Sequence, residues 1–447
     1  MPSKRLHPGA TAEPLQRAVF PVSDFPAFRR QLYRWAARFP YAQVLDNCQT
    51  TVDQHGQWEL WCGVANESAP LCTTWEAFCQ ATRQPRQSAL AGALGYGLYR
   101  QFFPRLAGQR LKPAPVRFPE VAFFAPRVIL RIARTSIHRV EILAPRPEAI
   151  LNEICALPPS EPQNRQNRLT QEFFANFSRG QYCRAVEQIR QWIANGDHYE
   201  ANLSQCYQGR AALQAPVELQ LKLTAESPVP FASFLRFGGR YLFCASPERF
   251  LQRKGNTLLS QPIKGTVPRG TNAIADQQLQ NRLFASEKDR AENVMIVDLL
   301  RNDFNRICTP GSVQVPRLFQ VQRFPQLHHL VSSITGRLPE HFPGGIPAIL
   351  RAVFPTGSMT GAPKQRVIQR IAQLEQLERG LYAGATGYLS PNGDFDLNVV
   401  IRALQWESSS GKLAYNVGGA VTWDSSPEGE YEETQTKALA LRQLFQK

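Results

Sequence analysis

Apolar positions recur along this chain with two different periods, and the change from one to the other separates its helices from its strands. Tyr182, Val186, Ile189 and Ile193 return at spacings of three and four, the repeat of one helix face, and the following Asn195-Gly196 pair supplies a stop. The segments SEKDRAENVMIVDLLRND (286–303) and GEYEETQTKALALRQLF (429–445) predict two more amphipathic helices. Strands are predicted in QWELWCGVA and VAFFAPRVILRIA upstream, and in YEANLSQCY, RYLFCAS, TLLSQPIKG and LYAGATGYL downstream. In ALAGALGYGLYRQF, Gly92, Gly95 and Gly97 lack the spacing of a dinucleotide loop, so they are read as packing glycines. A proline-rich, apolar-poor stretch from Ala144 to Asn167 sets the expected division: an N-terminal region, 1–150, and a larger domain, 168–447. There is no internal repeat.

Composition narrows the class. At 447 residues, 43% hydrophobic and 19% charged, the chain can bury a large core and reads as an enzyme-sized α/β or α+β body. The sequence holds neither a run of about 20 apolar residues, the length of a membrane span, nor a signal-peptide core, so a soluble, cytoplasmic protein is expected with no membrane partner. Nine cysteines without a C-x-x-C pair suit reduced thiols rather than a zinc cluster or a disulfide framework. The net charge of +15 raises nucleic acid as a partner, but the basic residues are dispersed and no recognition motif accompanies them, so none is expected.

The scarce acids carry the first chemical signal. Asp289 and Glu292 stand at i, i+3 on one predicted helix, and Glu430 and Glu433 repeat the spacing on another, so each helix presents two carboxylates on one face. If the faces met, a divalent cation such as Mg²⁺ would relieve their repulsion; the same spacing also suits two solvated helix faces. In QPIKGTVPRG, Lys264 lies where strand gives way to turn, and as a nucleophile it would need a pKa lowered by burial or nearby cations; a surface lysine is the plainer alternative. SPERF, FPTGSMTGAPK and NVGGAVTWDSSPE combine small residues with hydroxyl or charged groups that suit carboxylate contacts, though each is equally an ordinary turn. His328 and His329 point to opposite faces if extended, so a single hydrogen-bonding histidine is favoured over a shared metal.

In order along the chain, DHYEANLSQ, SPERF, PIKGTVPRG, KDRAENVMIVDLLRND, FPQLHHLVSSITGRL, FPTGSMTGAPK, GYLSPNGDFDLNVVIRAL and SSPEGEYEETQTKA resemble the signatures of chorismate-utilising enzymes. That family includes anthranilate synthase component I and the aminodeoxychorismate, isochorismate and salicylate synthases. The resemblance covers roughly Phe173 to the C-terminus and implies a two-lobed α/β body, with antiparallel sheets flanked by helices and the active site between the lobes. It implies Mg²⁺ ligation by Glu292 and Glu433 with Asp289 and Glu430 in support, Glu248 as general acid, and substrate contacts from Arg402, Tyr388, Ser358, His329, Lys437 and the Gly418-Gly419 backbone. A lysine at position 264 marks the members in which its amine attacks ring C2 and ammonia then enters at C4, giving 4-amino-4-deoxychorismate; anthranilate synthases typically carry alanine there. No segment resembles a glutaminase or a pyridoxal-phosphate lyase, so ammonia is expected from a separate glutamine amidotransferase subunit or from solution. Anthranilate synthase component I is the second reading and a non-catalytic chorismate-binding or glutaminase-regulating subunit the third. Glu200 departs from the glutamine usual in ammonia-using members and Ala420 from a third glycine. VLDNC (44–48) is a poor version of the segment that shapes the tryptophan pocket of anthranilate synthases.

Overall fold

Strands that read as nearly continuous apolar runs are buried on both faces, and two sheets built from them occupy the centre of the molecule. The computed structural model describes residues 14–83, 86, 88–106, 111–160 and 166–445. One sheet has 12 strands, in the order Gln16–Pro21, Arg139–Ala144, Val128–Ala133, Trp58–Ala65, Tyr41–Asp46, Phe231–Phe237, Arg240–Ser246, Ala403–Glu407, Lys412–Val421, Glu200–Leu213 and Gly361–Ala362, with Asn167–Ala175 also paired to Glu200–Leu213. The other has 10: Ile263–Pro268, Leu327–Arg337, Thr257–Gln261, Arg249–Lys254, Phe395–Val399, Ala385–Leu389, Leu90–Leu94, Val121–Phe124 and Leu71–Cys72, with Gln314–Arg323 beside Leu327–Arg337. Neighbouring strands in both sheets run antiparallel.

Residue parity assigns each strand's two faces. Ala91, Ala93, Ala122, Phe124, Leu235, Phe237, Leu242 and Cys244 form an apolar layer drawn from both sheets. Their neighbours in sequence turn the other way: Leu90, Leu94 and Phe123 pack with the helices Glu287–Asn305 and Gly345–Val353, while Phe234, Phe243 and Ala245 pack with Phe25–Ala36 and Pro216–Glu226. Helices therefore cover the outer faces and the sheets meet across this apolar layer.

The division at 1–150 and 168–447 does not separate the sheets, because Tyr41–Asp46 pairs with Phe231–Phe237 and Leu90–Leu94 with Ala385–Leu389. The proline-rich stretch between them holds a helix, Pro147–Cys155, with proline at its start, where a missing N–H costs nothing. The three helices predicted from periodicity span Arg179–Ala194, Glu287–Asn305 and Pro427–Arg442. All nine cysteines are free thiols. Among the described residues no helix is long and apolar enough to cross a membrane.

Candidate active site

Two of the chain's passages between the sheets lie side by side, and each carries a charged residue. Ser246 ends a strand of the first sheet and Arg249 begins one of the second, leaving Glu248 at the crossing; Val399 and Ala403 bracket the return, which carries Arg402. The crossings are tied together, since Val399 N donates to the Glu248 carbonyl at 3.0 Å and Ala245 N to the Arg402 carbonyl at 3.1 Å. Arg402 adopts a left-handed backbone (φ +50°), a conformation that costs an L-residue of order 1 kcal/mol. Glu248 is 3% exposed, and burial pushes its carboxyl up to about 7 against the opposing pull of the Ser358 hydroxyl and Lys264. Ser358 Oγ donates to Glu248 Oε1 at 2.6 Å. The carboxyl is thus able to hold a proton near neutral pH.

Lys264 lies on the edge strand Ile263–Pro268 and is buried. Its Nζ donates to Glu200 Oε1 and stands 4.0 Å from Glu292 Oε2. Burial favours the neutral amine, but Glu200, Glu292 and Glu248 outweigh it and hold the lysine above its ordinary value. This reverses the sequence-based expectation of a lowered pKa, and the side chain is held as an ammonium ion. Gly265, at φ +87°, lets the helix Glu287–Asn305 approach, because a Cβ there would lie 2.9 Å from the Asp289 side chain.

The two carboxylate pairs approach the same cations, since Glu292 and Glu433 both feel Lys264 and Lys288. Glu292, buried and pushed up to about 7, feels Lys264 and Lys288 on one side and Glu200 and Asp289 on the other. On the helix Pro427–Arg442, Glu430 Oε1 accepts from Ser425 Oγ at 2.7 Å while its buried Oε2 has no partner. Glu430 Oε2 and Glu433 Oε1 lie 2.8 and 3.7 Å from the point a Cβ on Gly419 would occupy, so the glycine makes room for both carboxylates. Lys288 Nζ sits 3.9 Å from Glu292 Oε1. Among the described residues no three acidic, histidine or cysteine side chains are close enough to hold a metal ion alone. An orphaned carboxylate oxygen within an all-oxygen set nevertheless fits Mg²⁺, which takes few protein ligands and keeps positions for water and an anionic substrate.

Around this cluster, His329 Nδ1 pairs with Thr266 Oγ1 at 2.8 Å and its Nε2 faces Arg402 Nη2 at 3.5 Å. Burial and the guanidinium hold the ring neutral, and with a cation opposite, Nε2 is the unprotonated nitrogen. Burial pushes Arg402 down to about 10, and among the described residues no carboxylate pairs with it, which leaves a cation ready for an anion. His328 points the other way, to Asp276 at 2.8 Å. Lys437 is engaged by Glu433 at 2.5 Å and by the Gly418 carbonyl at 2.9 Å, so it braces the carboxylates rather than standing free for a substrate. Ala420, opposite Asn202, is partly exposed.

Tyr388 falls elsewhere. Strand alternation places it on the inter-sheet side, stacked on Trp61 at 5.2 Å, where it lines a cavity of about 50 Å³ with Asp46, Asn47 and Phe231. The expectation that it touches the substrate is therefore corrected. Sequence reasoning also passed over two groups. Glu200 was noted as a departure but not as the partner of Lys264, 64 residues away, and Arg379 was not singled out. The Arg379 guanidinium donates to the carbonyls of Met359 and Asn202, each at 2.7 Å, and so fastens the turn bearing Ser358 to the strand bearing Glu200. Its pairing with Glu375 at i, i+4 was the available signal.

Comparison with known proteins identifies relatives of the chain and of its fold. Aminodeoxychorismate synthase component 1 of Salmonella typhimurium is 43% identical over 272 residues, 60% of this chain and 58% of the relative. The Escherichia coli protein of the same name is 40% identical over 281 residues, 62% and 60% of the two chains. The chain thus spans less than two thirds of the length of these curated relatives. The crystal structure of anthranilate synthase component I from Streptococcus pneumoniae superposes with a TM-score of 0.71 over 98% of this chain and 94% of that one, at 23% identity, which establishes the common fold. A model of the chorismate binding enzyme family matches residues 36–443, and the chain belongs to that family.

Proposed function

We propose that this chain converts chorismate and ammonia to 4-amino-4-deoxychorismate, a step toward p-aminobenzoate and folate, as an aminodeoxychorismate synthase component I acting in the cytoplasm. The observation that carries the reading is the buried cluster in which Lys264 Nζ is bonded to Glu200, lies 4.0 Å from Glu292, and shares its surroundings with the protonatable Glu248. In this reaction the neutral amine of Lys264 forms a bond to ring C2 as the C4–O bond breaks, and Glu248 gives its proton to the departing hydroxyl, which leaves as water. Ammonia then bonds to C4 and the C2–N bond to Lys264 breaks. Dividing one difficult substitution into two is the advantage of a covalent intermediate. Arg402, with His329 beside it, suits a substrate carboxylate, and the Gly418-Gly419 backbone is a second candidate contact. Glu292 and Glu433, supported by Asp289 and Glu430, would hold Mg²⁺, whose charge draws in and orients a carboxylate. Relatives named component 1 support a separate ammonia-supplying partner, a glutamine amidotransferase subunit, and a further enzyme would remove pyruvate. The test is the product mass after incubation with chorismate, Mg²⁺ and an ammonium salt. Aminodeoxychorismate retains the enolpyruvyl group; anthranilate, which has lost it, would overturn the reading, as would unchanged chorismate.

A further inference from the structure

The reaction requires a neutral lysine, an ordinary lysine carries a proton at neutral pH, and Lys264 Nζ donates a hydrogen bond to a carboxylate, so its proton must have a destination. Four carboxyl groups face it: Glu200 from the strand Glu200–Leu213, Glu248 from the crossing between sheets, Glu292 from the helix Glu287–Asn305, and Glu433 from the helix Pro427–Arg442. Three have other commitments. Glu248 must itself carry a proton for the leaving hydroxyl, Glu292 stands 4.0 Å away, beyond hydrogen-bonding distance, and Glu433 is paired with Lys437. Among the described residues only Glu200 accepts a hydrogen bond from Nζ. It is wholly buried, and its second oxygen, Oε2, has no partner, so among the described residues Lys264 is the one side chain that hydrogen-bonds to it.

We infer that Glu200 is a catalytic residue: it accepts the proton of Lys264 as the amine attacks and returns it when the amine is expelled. The inference rests on the lysine chemistry proposed above. In the first half, one Nζ–H bond breaks and a proton passes to Glu200 as the N–C2 bond forms and the C4–O bond breaks, with Glu248 protonating the leaving oxygen. The lysine nitrogen is then a secondary ammonium and Glu248 a carboxylate. In the second half, an ammonium ion gives one proton to Glu248, the resulting ammonia bonds to C4, and Lys264 departs as the neutral amine. Glu200 hands back its proton and the original charges are restored. The proton moves within one hydrogen bond, so the pair as a whole need neither gain nor lose protons to reach its reactive form.

The experiment isolates the first half. The full chain with Mg²⁺ is mixed with chorismate without ammonia, and the rate at which mass is added to the peptide containing Lys264 is followed by rapid quench. With Glu200→Gln we expect this rate to fall at least about tenfold while chorismate affinity stays within about twofold. Glu200→Ala should be as slow, and formate, a small carboxylate able to enter the vacated space, should restore part of the rate. Adduct formation by Glu200→Gln at the wild-type rate would overturn the inference. Joint loss of chorismate binding and adduct in both variants, with no rescue by formate, would also overturn it, leaving Glu200 a structural partner. Failure of the wild-type chain to form any lysine adduct would instead strike the lysine chemistry itself.

Discussion

Two neighbouring residues, Glu248 and Arg249, lead into two buried charged clusters that are finished to different degrees. Arg249, 1% exposed, spends its guanidinium on Asp53 (2.9 and 3.0 Å), Asp396 (2.9 and 3.0 Å) and Gln261 (2.5 Å). Its charge is fully answered within the protein. On the other side, Glu200 Oε2, Glu430 Oε2 and Asn202 Oδ1 are buried without partners, and Arg402 has no carboxylate among the described residues. A buried polar group left unpaired costs about 1–3 kcal/mol, so a cluster with several of them is completed only by something that binds. The satisfied cluster holds the sheets in place; the unsatisfied one is where the proposed function would seat substrate and cation.

The comparison breaks first at the carboxylates. Glu292→Gln or Glu433→Gln, or a chelator with the unaltered chain, should abolish turnover while circular dichroism shows an intact fold. Full activity in either variant or in metal-free buffer would remove the metal role assigned to these residues.

Arg249→Ala tests the opposite cluster. It strands Asp53 and Asp396 together in the interior, and breaking a buried charge network in this way costs about 3–5 kcal/mol. Denaturant unfolding should register that loss. A change within about 0.5 kcal/mol would mean that the network contributes little.

For Lys264→Ala we expect turnover to fall about 10²-fold or more with chorismate still bound, since the carboxylate and arginine contacts remain. Wild-type formation of aminodeoxychorismate by this variant would reduce Lys264 to a positioning cation.

The smallest effect concerns Glu248 and pH. Its carboxyl is raised from 4.5 to about 7 by burial, so its contribution to stability is complete below about pH 4.5 and lost as pH rises to about 7. Glu248→Gln cannot ionise, so the variant should gain stability relative to the unaltered chain across that window, by up to about 3 kcal/mol. Catalysis needs the protonated acid, so turnover of the unaltered chain should decline above about pH 7. A stability difference that is flat with pH, or turnover that keeps rising well above pH 7, would place the proton elsewhere.

Much of this was written in one dimension. The 3.6-residue repeat around Tyr182, the i, i+3 acid pairs and the apolar runs of the strands depend on neighbours within a few residues, and each appears in the fold at the expected place. The ordered motifs likewise pointed to the family before any contact was known. What the sequence could not decide was which faces meet. The parity of the strand Ala385–Leu389 turned Tyr388 toward Trp61 and away from the cluster, because alternation sorts a strand's residues between two layers but does not say which layer holds the site. The pairing of the two regions within both sheets followed from edge-to-edge hydrogen bonding between strands hundreds of residues apart, which no local pattern specifies. The bond between Glu200 and Lys264 belongs to the same category. Their charges are visible in the chain, but only folding removes the water between them, and in that dry setting a carboxylate raises the lysine's proton affinity despite burial.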